Sequence, residues 1–217
     1  MNIALEFTKD NDSLLMNVRH TYGGYAAPSY KAPFVFMPVD EQNKFLKELL
    51  QFGTNSENVI SSSFENKELD QSDPYKPFII NAIVKSAGLL EKAGGKIILK
   101  IGEMIGEQVQ MYDEKPRQNP VELPFPHSLE RNIEFTIPNG YTIKNLNDLI
   151  LNQVYTENGN VAMGFSSHFT REGNKIKVII REDYRNFYYP LEQYENFKKV
   201  INMSADFNKV VLILEKQ

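Results

Sequence analysis

The sequence predicts an α+β chain, predominantly antiparallel β with sandwich-like sheets and two helices near residues 40–52 and 190–203. Three observations carry that expectation. Short segments alternate apolar and polar residues, as at Ile133, Phe135 and Ile137 or at Ile176, Val178 and Ile180, and a period of two belongs to half-buried strands. Turn residues separate such segments, as in Lys9-Asp-Asn-Asp-Ser13 and Glu172-Gly-Asn174. Two stretches repeat apolar residues at helical spacing.

Residues 2–9 read as the first strand, with Ile3, Leu5 and Phe7 on one face, and residues 13–22 as the second. A chain that enters a strand at its third residue is expected to be a piece of a longer one. The second strand runs into Tyr22-Gly-Gly-Tyr25, where glycines permit positive φ or a close backbone approach. A phosphate cradle wants a strand, then glycines, then a helix start. Ala26-Ala-Pro-Ser-Tyr30 reads as extended or irregular, so a turn or bulge is expected instead.

Over residues 40–52, Asp40 is placed to cap a helix and Gly53 to end it. Phe45, Leu46, Leu49, Leu50 and Phe52 form its core-packing stripe. Residues 53–76 are polar, with a short strand at 59–64, and Leu69 to Pro77 is the candidate seam. The expected division is a β-hairpin plus helix subdomain over 1–70 and a β-rich domain over 75–217; one continuous module is the other option.

Strands are then expected at 78–84 and 96–101, flanking Gly94-Gly95. Four prolines between Pro116 and Pro126 favour an extended crossing. Further strands are expected at 132–137, 141–144, 161–169 and 175–181, with Pro138 and Gly140 forming a corner between the first two. Pro190 opens the last helix, where Leu191, Tyr194, Phe197, Val200 and Ile201 recur at helical spacing. Val210-Val-Leu-Ile-Leu214 reads as a central strand covered on both faces.

Composition narrows the chemistry. The chain is 41% hydrophobic, 24% charged and 12% aromatic, ordinary for a globular protein. Its 24 basic and 28 acidic residues give a net charge of −4 with no basic block, so nucleic acid is not an expected partner. No apolar run is long enough to span a bilayer, and the N-terminus does not read as a signal peptide. The absence of cysteine removes disulfides, thiolate metal sites and a thiol nucleophile.

His20, His127 and His168 are scattered without metal-ligand spacing, and His127 reads as a loop residue. Gly164-Phe-Ser-Ser-His168 lacks the strand–turn–helix setting of a nucleophile elbow, which leaves His168 a cross-strand histidine. Glu182-Asp183 and Glu103/Glu107 are the densest carboxylates, but a catalytic pair is defined by its separation across a cleft. No catalytic, cofactor-binding or metal-binding residue is therefore expected. Two aromatic clusters, Tyr22, Tyr25 and Tyr30 and then Tyr184, Phe187, Tyr188 and Tyr189, either present rings to a ligand or fill a sheet–helix junction.

Four features stand in order: Arg117-x-x-Pro120-Val121, Ile133-x-Phe-x-Ile-Pro138-x-Gly140-Tyr141, Gly173-Asn174-x-Ile176, and Tyr194-x-x-Phe197 ahead of the apolar last strand. This series resembles the C-terminal region of large bacterial transglutaminase-like proteins, which carry an N-terminal β domain of unknown function, a central papain-type domain and a C-terminal β-rich module. The Tyr22-Gly-Gly-Tyr-Ala26 strand end resembles the strand after the central domain, so the resemblance covers nearly all of the chain. It implies a Cys, His and Asp in the central domain, none of which carries over here. It implies structural roles for Pro138, Gly140, Tyr194 and Phe197. It further implies a non-catalytic accessory module that packs against other domains of a parent chain or a protein partner, and a periplasmic or cell-surface location. That reading expects an exposed apolar patch and no deep polar pocket. The alternative is a glycan- or peptide-binding β module with several of Tyr22, Tyr25, Tyr30, Tyr184, Tyr188 and Tyr189 exposed along one groove. A hydrolase using carboxylates or His168 is the third.

Overall fold

The polar cluster at residues 9–13 closes a hairpin. Asn11 adopts φ 49°, its N–H donates to the Thr8 carbonyl at 2.8 Å, and the Thr8 hydroxyl donates to Asp12 Oδ1 at 2.8 Å. This turn sets β1 (Asn2–Phe7) antiparallel to β2 (Leu14–Tyr22), in register from Phe7↔Leu14 to Asn2↔Arg19. The computed structural model describes residues 1–52, 57–112 and 117–217. The chain falls into two units, Met1–Leu90 and Glu91–Gln217.

In the first unit, α1 (Ala26–Phe36) and α2 (Val39–Leu49) follow β2, and then come β3 (Glu57–Glu65) and β4 (Phe78–Ser86). The four strands pair antiparallel in the order β1-β2-β4-β3. Alternation buries Ile3, Leu5, Met16, Val18, Phe78 and Ile80. Phe34 of α1 anchors the helices, its ring 4.9 Å from Phe64, 5.4 Å from Phe78 and 5.5 Å from Phe45. Residues 66–77, which include the expected seam, join β3 to β4, paired neighbours from Glu65↔Ile79 onward.

Two expectations need correction here. Residues 26–30 are not extended but open α1, which makes three α-helices among the described residues. Pro28 lies in the first turn, where a missing N–H costs nothing, and the surrounding packing accommodates Pro33 further in. Asp40 is not the cap of α2. Pro38 holds that position, and Asp40 and Glu41 occupy the first turn, where their charge complements the helix dipole. Gly53 and Pro116 lie outside the described residues.

The second unit contains β5 (Leu90–Ala93), β6 (Lys96–Leu99), β7 (Val121–Glu122), β8 (His127–Thr136), β9 (Tyr141–Ile143), β10 (Leu151–Glu157), β11 (Asn160–Glu172), β12 (Lys175–Tyr184), β13 (Tyr188–Tyr189), α3 (Tyr194–Asn208) and β14 (Leu212–Lys216). One antiparallel sheet runs β10-β11-β12-β8, a second β5-β6-β14-β9, and β7 pairs with β13. Gly173, at φ 60°, turns β11 into β12 with Glu172↔Lys175 closing the hairpin. At Pro138–Gly140 the chain leaves the first sheet for the second. Gly140 takes φ 78°, and the Tyr141 N–H donates to the Pro138 carbonyl at 3.1 Å. Ile133, Phe135 and Ile137 point into the core, as their alternation predicts.

α3 lays Tyr194, Phe197, Val200 and Phe207 inward, with Phe207 5.8 Å from Phe165 and Phe197 5.3 Å from Tyr189. The last strand is central in its sheet, but only Leu212 and Leu214 are fully buried; Ile213 on the other face is half-buried. The proline-rich crossing contains the short β7, anchored where the Leu123 N–H donates to the Phe187 carbonyl at 2.7 Å. The architecture is α+β with mostly antiparallel open sheets. Among the described residues no helix is long and apolar enough to cross a membrane.

Candidate functional site

The outer face of the β10-β11-β12-β8 sheet carries a groove, and a bulge shapes it. Tyr155 opposes Met163 but Thr156 opposes Val161, so Ala162 is the extra residue on β11. The Ala162 carbonyl accepts the Arg185 N–H at 2.9 Å and the Tyr189 hydroxyl at 3.0 Å. Tyr189 is fully buried, and burial pushes its hydroxyl pKa up, which keeps the donated proton in place.

Arg185, fixed at its backbone, directs Nη2 to Asp183 Oδ1 at 2.7 Å. Arg181 Nε reaches Asp183 Oδ2 at 2.7 Å, and the Ser128 hydroxyl donates to Asp183 Oδ1 at 2.7 Å. Burial pushes the Asp183 carboxyl up, but the hydrogen bonds from Arg181 and Ser128 and the two guanidinium charges hold it below the usual range. Asp183 stands opposite both Ser128 and Gly164, and Gly164 stands opposite Val154. A Cβ on Gly164 would come within 2.9 Å of Val154 Cγ2, so only glycine leaves room for the valine side chain there. The result is an open groove of about 590 Å³ lined by Val154, Asn160, Val161, Gly164, Ser166, Arg181, Asp183 and Arg185.

The Glu182-Asp183 pair is split by the pleat. Glu182 lies on the buried face, where Arg131 Nη1 reaches Oε2 at 3.1 Å and the Tyr184 hydroxyl donates to Oε1 at 2.8 Å. The two carboxylates therefore face opposite sides of one sheet and share no cleft. Glu103 is half-buried in a 3-10 turn at Gly102–Ile105, and Glu107 is exposed beyond its end. His20 is half-buried, with Nδ1 2.9 Å from the Tyr22 hydroxyl. His127 is not in a loop but begins β8 opposite Tyr184, its Nδ1–H donating to the Phe125 carbonyl at 3.1 Å. His168 is exposed on β11 opposite Ile179. Among the described residues no group of three His, Cys, Asp or Glu could hold a metal ion.

The six tyrosines of the binding alternative differ in exposure. Of these six, Tyr22, Tyr184 and Tyr189 are buried, Tyr30 stacks on Tyr22 at 3.7 Å, and Tyr25 and Tyr188 are well exposed. The Gly23-Gly24 pair does precede a helix, but a Cβ on either glycine would meet nothing within 4 Å. That leaves it an open turn in this chain. The arginine groove escaped the sequence because it needs the bulge at Ala162 and the cross-strand register. The alternation of Ile176, Val178 and Ile180 was the available signal: it puts Arg181 on the opposite face with Lys175 and Lys177, and continuing it by two residues adds Asp183.

A second surface feature lies at the α1–α2 corner. Val35, Phe36, Met37, Pro38 and Val39 are all exposed in succession, Phe36 to 75% and Val39 to 69%.

Neither a curated protein nor a solved structure matches the chain. Residues 96–214, more than half of the chain and all within the second unit, match the model of a domain of unknown function with a solved structure, so the chain belongs to the DUF3858 family.

Proposed function

We propose that the chain is a non-catalytic accessory module that docks on a catalytic neighbour, a papain-type domain of a transglutaminase-like protein. The observation that supports this reading best is the exposed run from Val35 to Val39. Exposed apolar residues are normally scattered singly, and a contiguous run centred on a largely exposed phenylalanine is a surface that gains from being covered. Asp40 and Glu41 border it, so the docking face of the neighbour is expected to be apolar with a basic rim. With no cysteine in this chain, the thiol of such a reaction would come from the neighbour. The ordered motifs from Arg117 to Phe197 support the family of that neighbour.

Calorimetric titration of the chain with a separately expressed transglutaminase-like domain from the same cells tests the reading. A complex is expected, weakened by Phe36→Glu and Val39→Glu by about tenfold or more, as for a truncated interface anchor. No complex, or equal affinity for the parent chain and both variants, overturns it. Both side chains are exposed, so neither substitution disturbs the core.

A further inference from the structure

We propose that the groove over Gly164 binds an aliphatic monocarboxylate, its carboxylate held between Arg181 and Arg185 and its apolar part resting on Val154 and Val161. This goes beyond docking, since it concerns a different surface and a different ligand.

Four observations converge on that ligand. First, Arg181 commits only Nε to Asp183 and Arg185 only Nη2. The other side-chain N–H groups of both have no acceptor among the described residues, and both side chains are about half exposed. A guanidinium fork matches the planar geometry of a carboxylate. Second, the two cations are already ordered. Asp183 clamps both, Ser128 holds Asp183, and the bulge carbonyl of Ala162 fixes the Arg185 backbone. Little side-chain entropy is left to lose on binding.

Third, the two guanidiniums already face the Asp183 carboxylate, and Glu130 stands opposite Arg181 on β8. A monoanion adds the least negative charge beside these carboxylates, whereas a dianion such as phosphate brings surplus negative charge against them. Fourth, apolar side chains stand beside the clamp, with Asn160 and Ser166 the other polar residues of the lining. Val154 and Val161 are partly exposed beside the glycine floor, and the volume of about 590 Å³ suits a small ligand or the end of a peptide. A carboxylate with a branched or linear alkyl group satisfies both the clamp and these side chains.

Such a group comes either from a free short-chain acid or from a peptide ending in an aliphatic residue. Amide chemical shifts of the intact chain, followed by NMR during titration, separate the two. The probes are hexanoate, an acetylated peptide ending in free leucine, the amides of both, and inorganic phosphate. Saturable shifts at Gly164, Ser166, Arg181, Asp183 and Arg185 are expected with at least one of the two acids, and the tighter acid identifies the source. Both amides and phosphate are expected to leave these signals unmoved.

Arg185→Gln and the double variant Arg181→Gln/Arg185→Gln are expected to weaken binding by about tenfold or more, the scale of a lost charge-assisted contact. Ser166→Asp, which sets a carboxylate directly opposite Arg181 to compete for its free N–H groups, is expected to abolish binding even if the double variant fails to fold. No saturable shift with either acid up to roughly ten millimolar, the range of weak small-ligand affinity, overturns the proposal. Equal shifts with the amides or phosphate, or unchanged binding in Arg185→Gln and Ser166→Asp, overturn it as well.

Discussion

Lys31 sits on the sheet-facing stripe of α1 with Ala27 and Phe34, its Nζ sealed from water and without a hydrogen-bond partner among the described residues. A buried polar group without a partner loses its hydration and gains nothing in return, a cost of about 1–3 kcal/mol. Arg131 is buried to a similar degree but differs in kind, because Glu182 accepts its hydrogen bond and Tyr184 satisfies the other carboxylate oxygen. Lys31→Met keeps a long unbranched chain and removes the amine, so it is expected to raise stability by roughly 1–3 kcal/mol. The midpoint of urea unfolding at constant slope reads this directly. A lower midpoint in the variant would mean that the amine does stabilising work in the parent chain.

At the scale of elements, the tightest constraint lies where the 3-10 turn at Gly102–Ile105 meets the end of α3. A Cβ on Gly102 would lie 2.1 Å from the Phe207 carbonyl oxygen and 2.7 Å from the Asn208 backbone, atoms that cannot move aside as a side-chain tip can. The same contact is tied by the Gly102 N–H donating to the Val210 carbonyl at 2.9 Å and by Asn208 Nδ2 donating to the Gly102 and Gly106 carbonyls. Gly102→Ala is thus expected to destabilise the chain by about 1–3 kcal/mol, the range for forced overpacking, in the same urea experiment. A loss too small to shift the midpoint would mean that the turn and α3 can separate freely. This close approach is invisible in the sequence, where nothing local marks Gly102. What was legible is what is local. The Glu172-Gly-Asn174 turn, the alternation in β8 and β12 and the stripe of α3 each depend on neighbours in the chain. The helix α1 was hidden by Pro28, Pro33 and apolar residues all round, which erase the 3.6-residue signal. The strand β10 was hidden because its alternation is weak, and pairing with β11 decides its state. The groove depends on β10, through its bulged pairing with β11 and the register of β11 with β12.

For the molecule as a whole, the ionisable groups point to acid as its weak side. Asp183 is held low once Arg181 and Ser128 outweigh its burial. Glu134 is lowered by hydrogen bonds from Lys175 and Lys177, Glu65 by those from Arg19 and Asn81, and Glu215 by that from Lys96. These groups lie in both units, so the effect is general and not the property of one site. A carboxyl with a lowered folded pKa binds its proton more readily in the unfolded chain. Its stabilisation is therefore complete above the unfolded value, about 4, and is lost as pH falls through the lower folded value. Most of these pairs are solvent-exposed and individually weak, so no single one dominates. Acidification also removes negative charge from a chain whose net charge is only −4, and the 24 basic side chains then repel one another. The thermal midpoint is expected to stay level from about pH 7 to 5 and to drop progressively below about pH 4. A scan by circular dichroism in buffers of matched ionic strength measures it. A midpoint that holds or rises between pH 5 and 3 would mean that these ion pairs are absent in solution. A fall that disappears in Asp183→Asn would locate the sensitivity in the arginine clamp alone.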